Sequence, residues 1–311
     1  MIGYNLLAAS AVALSGTAQT DHRRRVMPWL CLEICDTPAA VQQQLQTIRS
    51  KRALLSAVSF ELYTLEPNCS LMEWDNVTRV HTDVRNAGLD SWPMITSWPH
   101  PPDFITRMRQ LFADRACAET FVAQAVAEAQ RNGFTGYNLD WEPTWSNSTA
   151  PIGEADAQAF AQFVAMFADR LHAAGFQLTV DVATWVPAPP SRRHQQVEVA
   201  QDRPVSIWNY TALAATSVDR AISMGTYTSS DTSFADQLHL LMSTFGPDRS
   251  GVGLMTVNAS DGVPLSDAEV ALRFRALEAA NATEVDVWRM PLTGAFWSHV
   301  EAWVNGSASQ T

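Results

Sequence analysis

The feature that most constrains this chain is a repeat of rhythm rather than of residues. Apolar runs of strand length alternate eight times with amphipathic stretches of helical length. The runs lie at Val26 to Leu32, Ala53 to Leu62, Ser91 to Ser97, Gly133 to Pro143, Phe176 to Trp185, Ala221 to Tyr227, Gly251 to Val257 and Glu284 to Trp288. Helical periodicity occupies the intervals: Pro38 to Lys51, Asp75 to Asn86, Ala118 to Arg131, Glu154 to Ala173, Tyr210 to Thr216, Ser233 to Thr244, Ser266 to Ala280 and Ala295 to Val304. A further helical insert is expected near Asp103 to Asp114. Thr37 is placed to cap the first helix, and Ser266 with Glu269 fits a capping box. Strands alternating with helices imply a parallel sheet, and eight such units imply an α/β fold, a single-domain (β/α)8 TIM barrel. The barrel is expected over residues 26–304, with a loose Ser/Gly-rich tail over 305–311.

Size and charge agree. The 311 residues suit one barrel of about 250 residues with extensions, and 47% apolar content fills a large core. A net charge of −11 argues against nucleic acid or an anionic membrane as partner. No glycine-rich phosphate loop is present, no Cys/His spacing suits zinc, and no cofactor or metal is expected.

In a barrel of this kind chemistry gathers where strands end at their carboxyl side. The fourth run ends in Asn138-Leu139-Asp140-Trp141-Glu142-Pro143. Side chains alternate along a strand, so Asn138, Asp140 and Glu142 face one way and Tyr137, Leu139 and Trp141 the other. The two carboxylates stand about 7 Å apart along the backbone, a spacing suited to one small substrate. Other strand ends supply Trp98, Trp145, Trp185, Tyr227 and Trp288. Aromatic rings stack on the apolar faces of sugars, so 11 Trp with several at strand ends favour a carbohydrate ligand.

These residues resemble the catalytic strand of glycoside hydrolase family 18, the chitinase family, whose motif reads Asp-x-x-Asp-x-Asp-x-Glu. Here Thr135 and Asn138 replace the first two acids, while Asp140 and Glu142 match. The smaller chitobiase-like members are closest in flavour. The resemblance implies that Glu142 is the general acid, that Asp140 contacts the substrate acetamide, and that the acetamide oxygen attacks the anomeric carbon with retention. Met224-Gly225-Thr226-Tyr227-Thr228 stands where the family carries Met-x-Tyr-Asp, so Tyr227 implies an acetamide contact and Thr228 replaces the Asp. Trp288 matches the Trp beneath the sugar, and Asn138 replaces an acid that could share a proton with Asp140. The implied substrate is an N-acetylglucosamine-containing glycan: chitin, chito-oligosaccharide or an N-glycan core. Two other readings stay open: a chitin-binding lectin on an inactive barrel, and a hyaluronidase-like enzyme, because Asp140-Trp141-Glu142-Pro143-Thr144-Trp145 has that flavour.

A secreted or lysosomal glycoprotein, acting as a monomer on an oligosaccharide, fits the remaining features. Leu6 to Leu14 resembles a signal-peptide core, giving an expected leader over 1–19, although Arg23-Arg24-Arg25 follows the run instead of preceding it. Seven Asn-x-Ser/Thr sequons occur, at Asn68, Asn76, Asn147, Asn209, Asn258, Asn281 and Asn305. Four cysteines allow three pairings; Cys31–Cys35 and Cys69–Cys117 are favoured, the first as neighbours in a turn and the second as loop residues that meet.

Overall fold

The computed structural model describes residues 24–74, 78–143, 152–183, 206–228, 230–258 and 262–306. The expected leader, residues 307–311 of the expected tail, and the strand-end tryptophans Trp145 and Trp185 lie outside the described residues.

The eight expected strands form a closed parallel barrel. They are β1 (Arg25–Leu30), β2 (Ala57–Leu65), β4 (Asp90–Thr96), β5 (Gly136–Asp140), β6 (Gln177–Val182), β7 (Arg220–Ser223), β8 (Ser250–Met255) and β9 (Glu284–Trp288). Each pairs in parallel with the next, and β1 pairs with both β2 and β9 to close the ring. A ninth strand, β3 (Leu71–Glu73), was not expected; it runs antiparallel to the far end of β2, with Leu65 opposite Leu71. Three residues are too short for a period-2 pattern to register.

Around the barrel stand α1 (Pro38–Lys51), α2 (His81–Asn86), α3 (Phe104–Ala113), α4 (Arg115–Asn132), α5 (Glu154–Ala173), α6 (Tyr210–Ala214), α7 (Asp231–Phe245), α8 (Asp267–Ala279) and α9 (Gly294–Val304). The expected caps form. Thr37 accepts from the Ala40 amide at 3.3 Å, and Ser266 and Glu269 close a reciprocal capping box. Gly133 ends α4 with φ +70°, a conformation that costs glycine little.

Several boundaries move for local reasons. β2 begins at Ala57, because a 3-10 turn over Arg52–Leu54 takes the residues expected to open it. α2 begins only at His81, and its expected opening falls partly outside the described residues. β7 stops at Ser223, where the Thr226 hydroxyl bridges the Ser223 and Gly253 carbonyls at 2.7 and 2.6 Å and turns the chain. β8 stops at Met255, and Val257 makes only an isolated bridge to Pro264.

Two layers of packing set the site. Outside the barrel, Trp141 lies among Phe104, Phe112, Phe121, Phe160 and Phe163, stacked on Phe163 at 5.5 Å. Burying rings of this size contributes about 1.5–3 kcal/mol each. With Trp141 held outward among α3, α4 and α5, its neighbours Asp140 and Glu142 are forced inward, the face expected from alternation. Inside the barrel, the floor is an ionic knot. Glu284 of β9 pairs with Arg25 of β1 at 2.8 Å and with Arg220 of β7 at 3.0 Å, and the Arg220 guanidinium lies 5.3 Å from the Trp92 ring centre.

The cysteines pair as favoured: Cys31 with Cys35, and Cys69 with Cys117, at Cα separations of 5.5 and 5.3 Å. The second ties the β2–β3 turn to α4.

Candidate active site

At the carboxyl end of β5 the backbone is fixed before any substrate arrives. The Ser97 amide donates to the Asp140 carbonyl at 3.0 Å, and the Glu142 amide donates to the Ser97 hydroxyl at 2.9 Å. Glu142 is therefore strapped to the end of β4 and stands half-buried at the barrel mouth. Below it Asp140 is 7% exposed, and one of its carboxylate oxygens has no hydrogen-bond partner among the described residues.

Burial raises the Asp140 pKa well above the ordinary carboxylate range, and the nearby charges of Glu142, Asp181 and Glu61 raise it further. Asp181, on β6 and fully buried, is pushed up the same way by burial, opposed by its hydrogen bond from Asn138. Asn138 is itself buried; its amide nitrogen donates to Asp181 and to the Thr179 hydroxyl, each at 2.9 Å. Glu61 of β2, 5% exposed, is raised to about 8, first by burial and then by the charge of Glu142, with Arg289 acting against. Asp286 of β9 is likewise raised by burial, then by Glu284.

The aromatic wall is continuous. Tyr227 meets Trp29 edge-on at 6.4 Å, and Trp29 meets Trp288 edge-on at 5.9 Å. The Tyr227 hydroxyl is buried and without a partner among the described residues, and burial lifts its pKa well above the phenol range. Trp98, at the end of β4, is 40% exposed beside His100. The structure thus brings Glu142, Asp140, Asn138, Tyr227 and Trp288 to one end of the barrel and sets Trp98 at its rim. Such a mouth offers a half-buried acid over buried carboxyls whose pKa values burial raises, a phenol donor without a partner among the described residues, and an aromatic surface.

Glu61, Asp181, Asp286 and Trp29 escaped the sequence reading. Three share one signal: an acid inside an apolar strand, as in Ser59-Phe60-Glu61-Leu62, Val180-Asp181-Val182 and Val285-Asp286-Val287. For Glu61 the alternation is also broken by a register shift between Glu61 and Tyr63. This bulge lets Glu61 face inward while Tyr63 faces the helices, bonding Glu128 at 3.4 Å. A Glu61 oxygen lies within 4.8 Å of both sulfurs of the Cys31–Cys35 disulfide. Those sulfurs are bonded to each other, so the trio offers no thiolate to a metal.

Among solved structures, the chitinase of Chromobacterium violaceum superposes with a TM-score of 0.69 at 14% identity, over 90% of this chain and 99% of that one. The fold is that of the chitinases. A class V chitinase from Pseudomonas fluorescens matches with a TM-score of 0.67 at 17% identity, over 92% and 99% of the two chains. A class V chitinase from Nicotiana tobaccum in complex with NAG4 gives 0.66 at 11% identity, over 90% and 99%. No family model matches the sequence, and no curated protein does. The chitinase-like barrel is therefore established by shape.

Proposed function

We propose that this chain is a glycoside hydrolase that cleaves N-acetylglucosamine-containing glycans with retention of configuration. The observation that carries the reading is Glu142 strapped at the end of β5 above the buried carboxyls of Asp140 and Asp181, with the Tyr227 hydroxyl near them and without a partner among the described residues. The NAG4 bound by a structural neighbour supports the substrate class.

In the proposed mechanism the sugar at the cleavage point rests on Trp288, and its acetamide reaches toward Asp140 and Tyr227. The acetamide oxygen attacks the anomeric carbon as the glycosidic C–O bond breaks, and the Glu142 proton passes to the departing oxygen. Asp140 orients the acetamide and balances the positive charge of the oxazolinium intermediate. Water then adds to the anomeric carbon, giving its proton back to Glu142, and the ring opens to the acetamide with two inversions and net retention.

An acid-rich mouth disfavours a polyanion such as hyaluronan, and a lectin would not require a strapped acid. With two disulfides, we read the protein as acting outside the cytosol, secreted or lysosomal. The test is turnover of a chito-oligosaccharide, its fully deacetylated counterpart and hyaluronan by wild type and Glu142→Gln. Wild type should cleave only the first. Glu142→Gln should still bind it, with kcat lower by roughly 10²–10⁴-fold. Equal rates for the two proteins, or brisk cleavage of the deacetylated oligomer, would overturn the reading.

A further inference from the structure

Asp140 has a buried carboxyl oxygen with no partner among the described residues, and an amide, Asn138, is its nearest inward neighbour on the same strand. An amide cannot take up or release a proton in this range, so Asn138 is not able to share one with Asp140. The next strand supplies a group that can. β5 and β6 pair with Asn138 opposite Thr179 and Leu139 opposite Val180. Carried one residue further, that register sets Asp140 beside Asp181, both on the inward face. Asn138 does not point at Asp140 with its nitrogen; it holds Asp181 at 2.9 Å and is fixed in turn by Thr179. One Asp181 oxygen is thereby occupied and the other is left without a partner among the described residues.

We propose that Asp181 is the proton-sharing partner of Asp140, with Asn138 acting as the clamp that aims it. The proposal rests on the glycosidase reading above and adds a residue to it. Two buried carboxyls placed side by side on neighbouring strands cannot both ionise cheaply; the low-cost state holds one proton between the two. Among the described residues, the other charged or titratable groups acting on the pair are Glu142, Glu61, Asp286 and the Tyr227 phenol, and none is a cation. When Asp140 turns to the acetamide its negative charge is needed, and the proton can pass to the free oxygen of Asp181. The O–H bond at Asp140 breaks, an O–H bond at Asp181 forms, and the net charge of the pair is unchanged. Asp181 does not touch substrate in this scheme; it is a positioning residue that acts through Asp140.

The exchange predicts a rescue that a merely structural role would not give. Asp181→Asn should lower kcat on a chito-oligosaccharide by about tenfold or more with KM little changed. Asn138→Asp combined with Asp181→Asn, which exchanges the two side chains, should restore most of that loss. Wild-type kcat in Asp181→Asn, or a double variant no better than the single one, would overturn the proposal. The reading of function is judged separately, by wild-type turnover. If wild type cleaves no glycan that reading fails, and the partnership is still decided by carbon-13 NMR of aspartate-labelled protein. In wild type the Asp140 and Asp181 carboxyls should titrate in two coupled steps, and the step at higher pH should vanish in Asp181→Asn. Two independent single-step titrations in wild type would overturn the proposal, and this measurement needs no variant to fold.

Discussion

Glu61 offers a test worked directly from its surroundings. A glutamate in an unfolded chain titrates near 4.5, whereas in the barrel its proton is held to about 8 by burial and by Glu142. Below the unfolded value both states are protonated and the difference contributes nothing against folding. Between the two values the unfolded chain releases its proton and the folded one keeps it, so stability falls as pH rises. At about 1.4 kcal/mol per pH unit, the loss is roughly 3 kcal/mol by pH 7 and approaches 5 kcal/mol above pH 8. That is a large share of the ~5–15 kcal/mol by which a domain of ordinary stability is folded.

Glu61→Gln keeps the shape of the protonated acid and cannot ionise. Its stability relative to wild type should therefore be near zero at about pH 4, climb through neutrality and level off above about pH 8. Urea unfolding of both proteins at a series of pH values reads this difference, with equal m-values as the control that the unfolded states match. Asp181 and Asp286 are raised in the same direction without a contribution from Glu61 and remain in both proteins, so they cancel; Asp140 is raised in part by the charge of Glu61, so its shift relaxes in the variant and adds to the variant's gain at high pH. A difference that stays flat with pH, or a variant less stable than wild type above about pH 8, would refute the assignment of Glu61 as a buried neutral acid.

The other expectations are simpler. Tyr227→Phe should leave stability unchanged or slightly higher, because the lost hydroxyl has no partner among the described residues, while transition-state stabilisation falls by about 1–3 kcal/mol in kcat/KM. Gly253→Ala would set a methyl group 2.3 Å from the Ser223 carbonyl and 2.8 Å from the Tyr227 ring; a loss of about 1–3 kcal/mol in urea unfolding, together with weakened turnover, is expected. Replacing Cys69 and Cys117 together by Ala opens a link across 48 positions, and should lower unfolding stability by about 2–4 kcal/mol with the Glu142 strap intact.

The barrel was legible because its signal is redundant. Eight apolar runs and the capping residues Thr37 and Ser266 point to the same arrangement, and α5 and β9 fall at the expected residues. Glu142 and Asp140 were legible because they sit at a strand end, where an acid is conspicuous. Asp181 and Asp286 were hidden because a buried acid between two valines looks like noise in an otherwise apolar strand. Their company comes from the packing of neighbouring strands, which no local pattern carries. Glu61 was hidden twice, since the bulge at Leu62 also shifts the face on which alternation would place Tyr63. The antiparallel β3 was missed for lack of length.

The barrel interior is graded in charge from floor to mouth, and the grading ties stability to chemistry. At the floor, Glu284 is answered by Arg25 and Arg220, so its charge stays paired. One layer up, Asp286 is opposed by Glu284 and eased by Arg220 and Arg25, yet its oxygens find no hydrogen bond among the described residues. Higher still, among the described residues Asp181 is held by the amide of Asn138 alone, and no cation acts on Asp140. Pairing thus fades toward the end where a ligand enters. An uncompensated buried acid costs stability in the resting protein. The same acid binds best to a group that brings positive charge or a strong donor, and under the proposed mechanism an oxazolinium formed in place would be such a group. The cost carried at the mouth would then be recovered only as charge develops in the substrate, making the interaction selective for the transition state over the ground state.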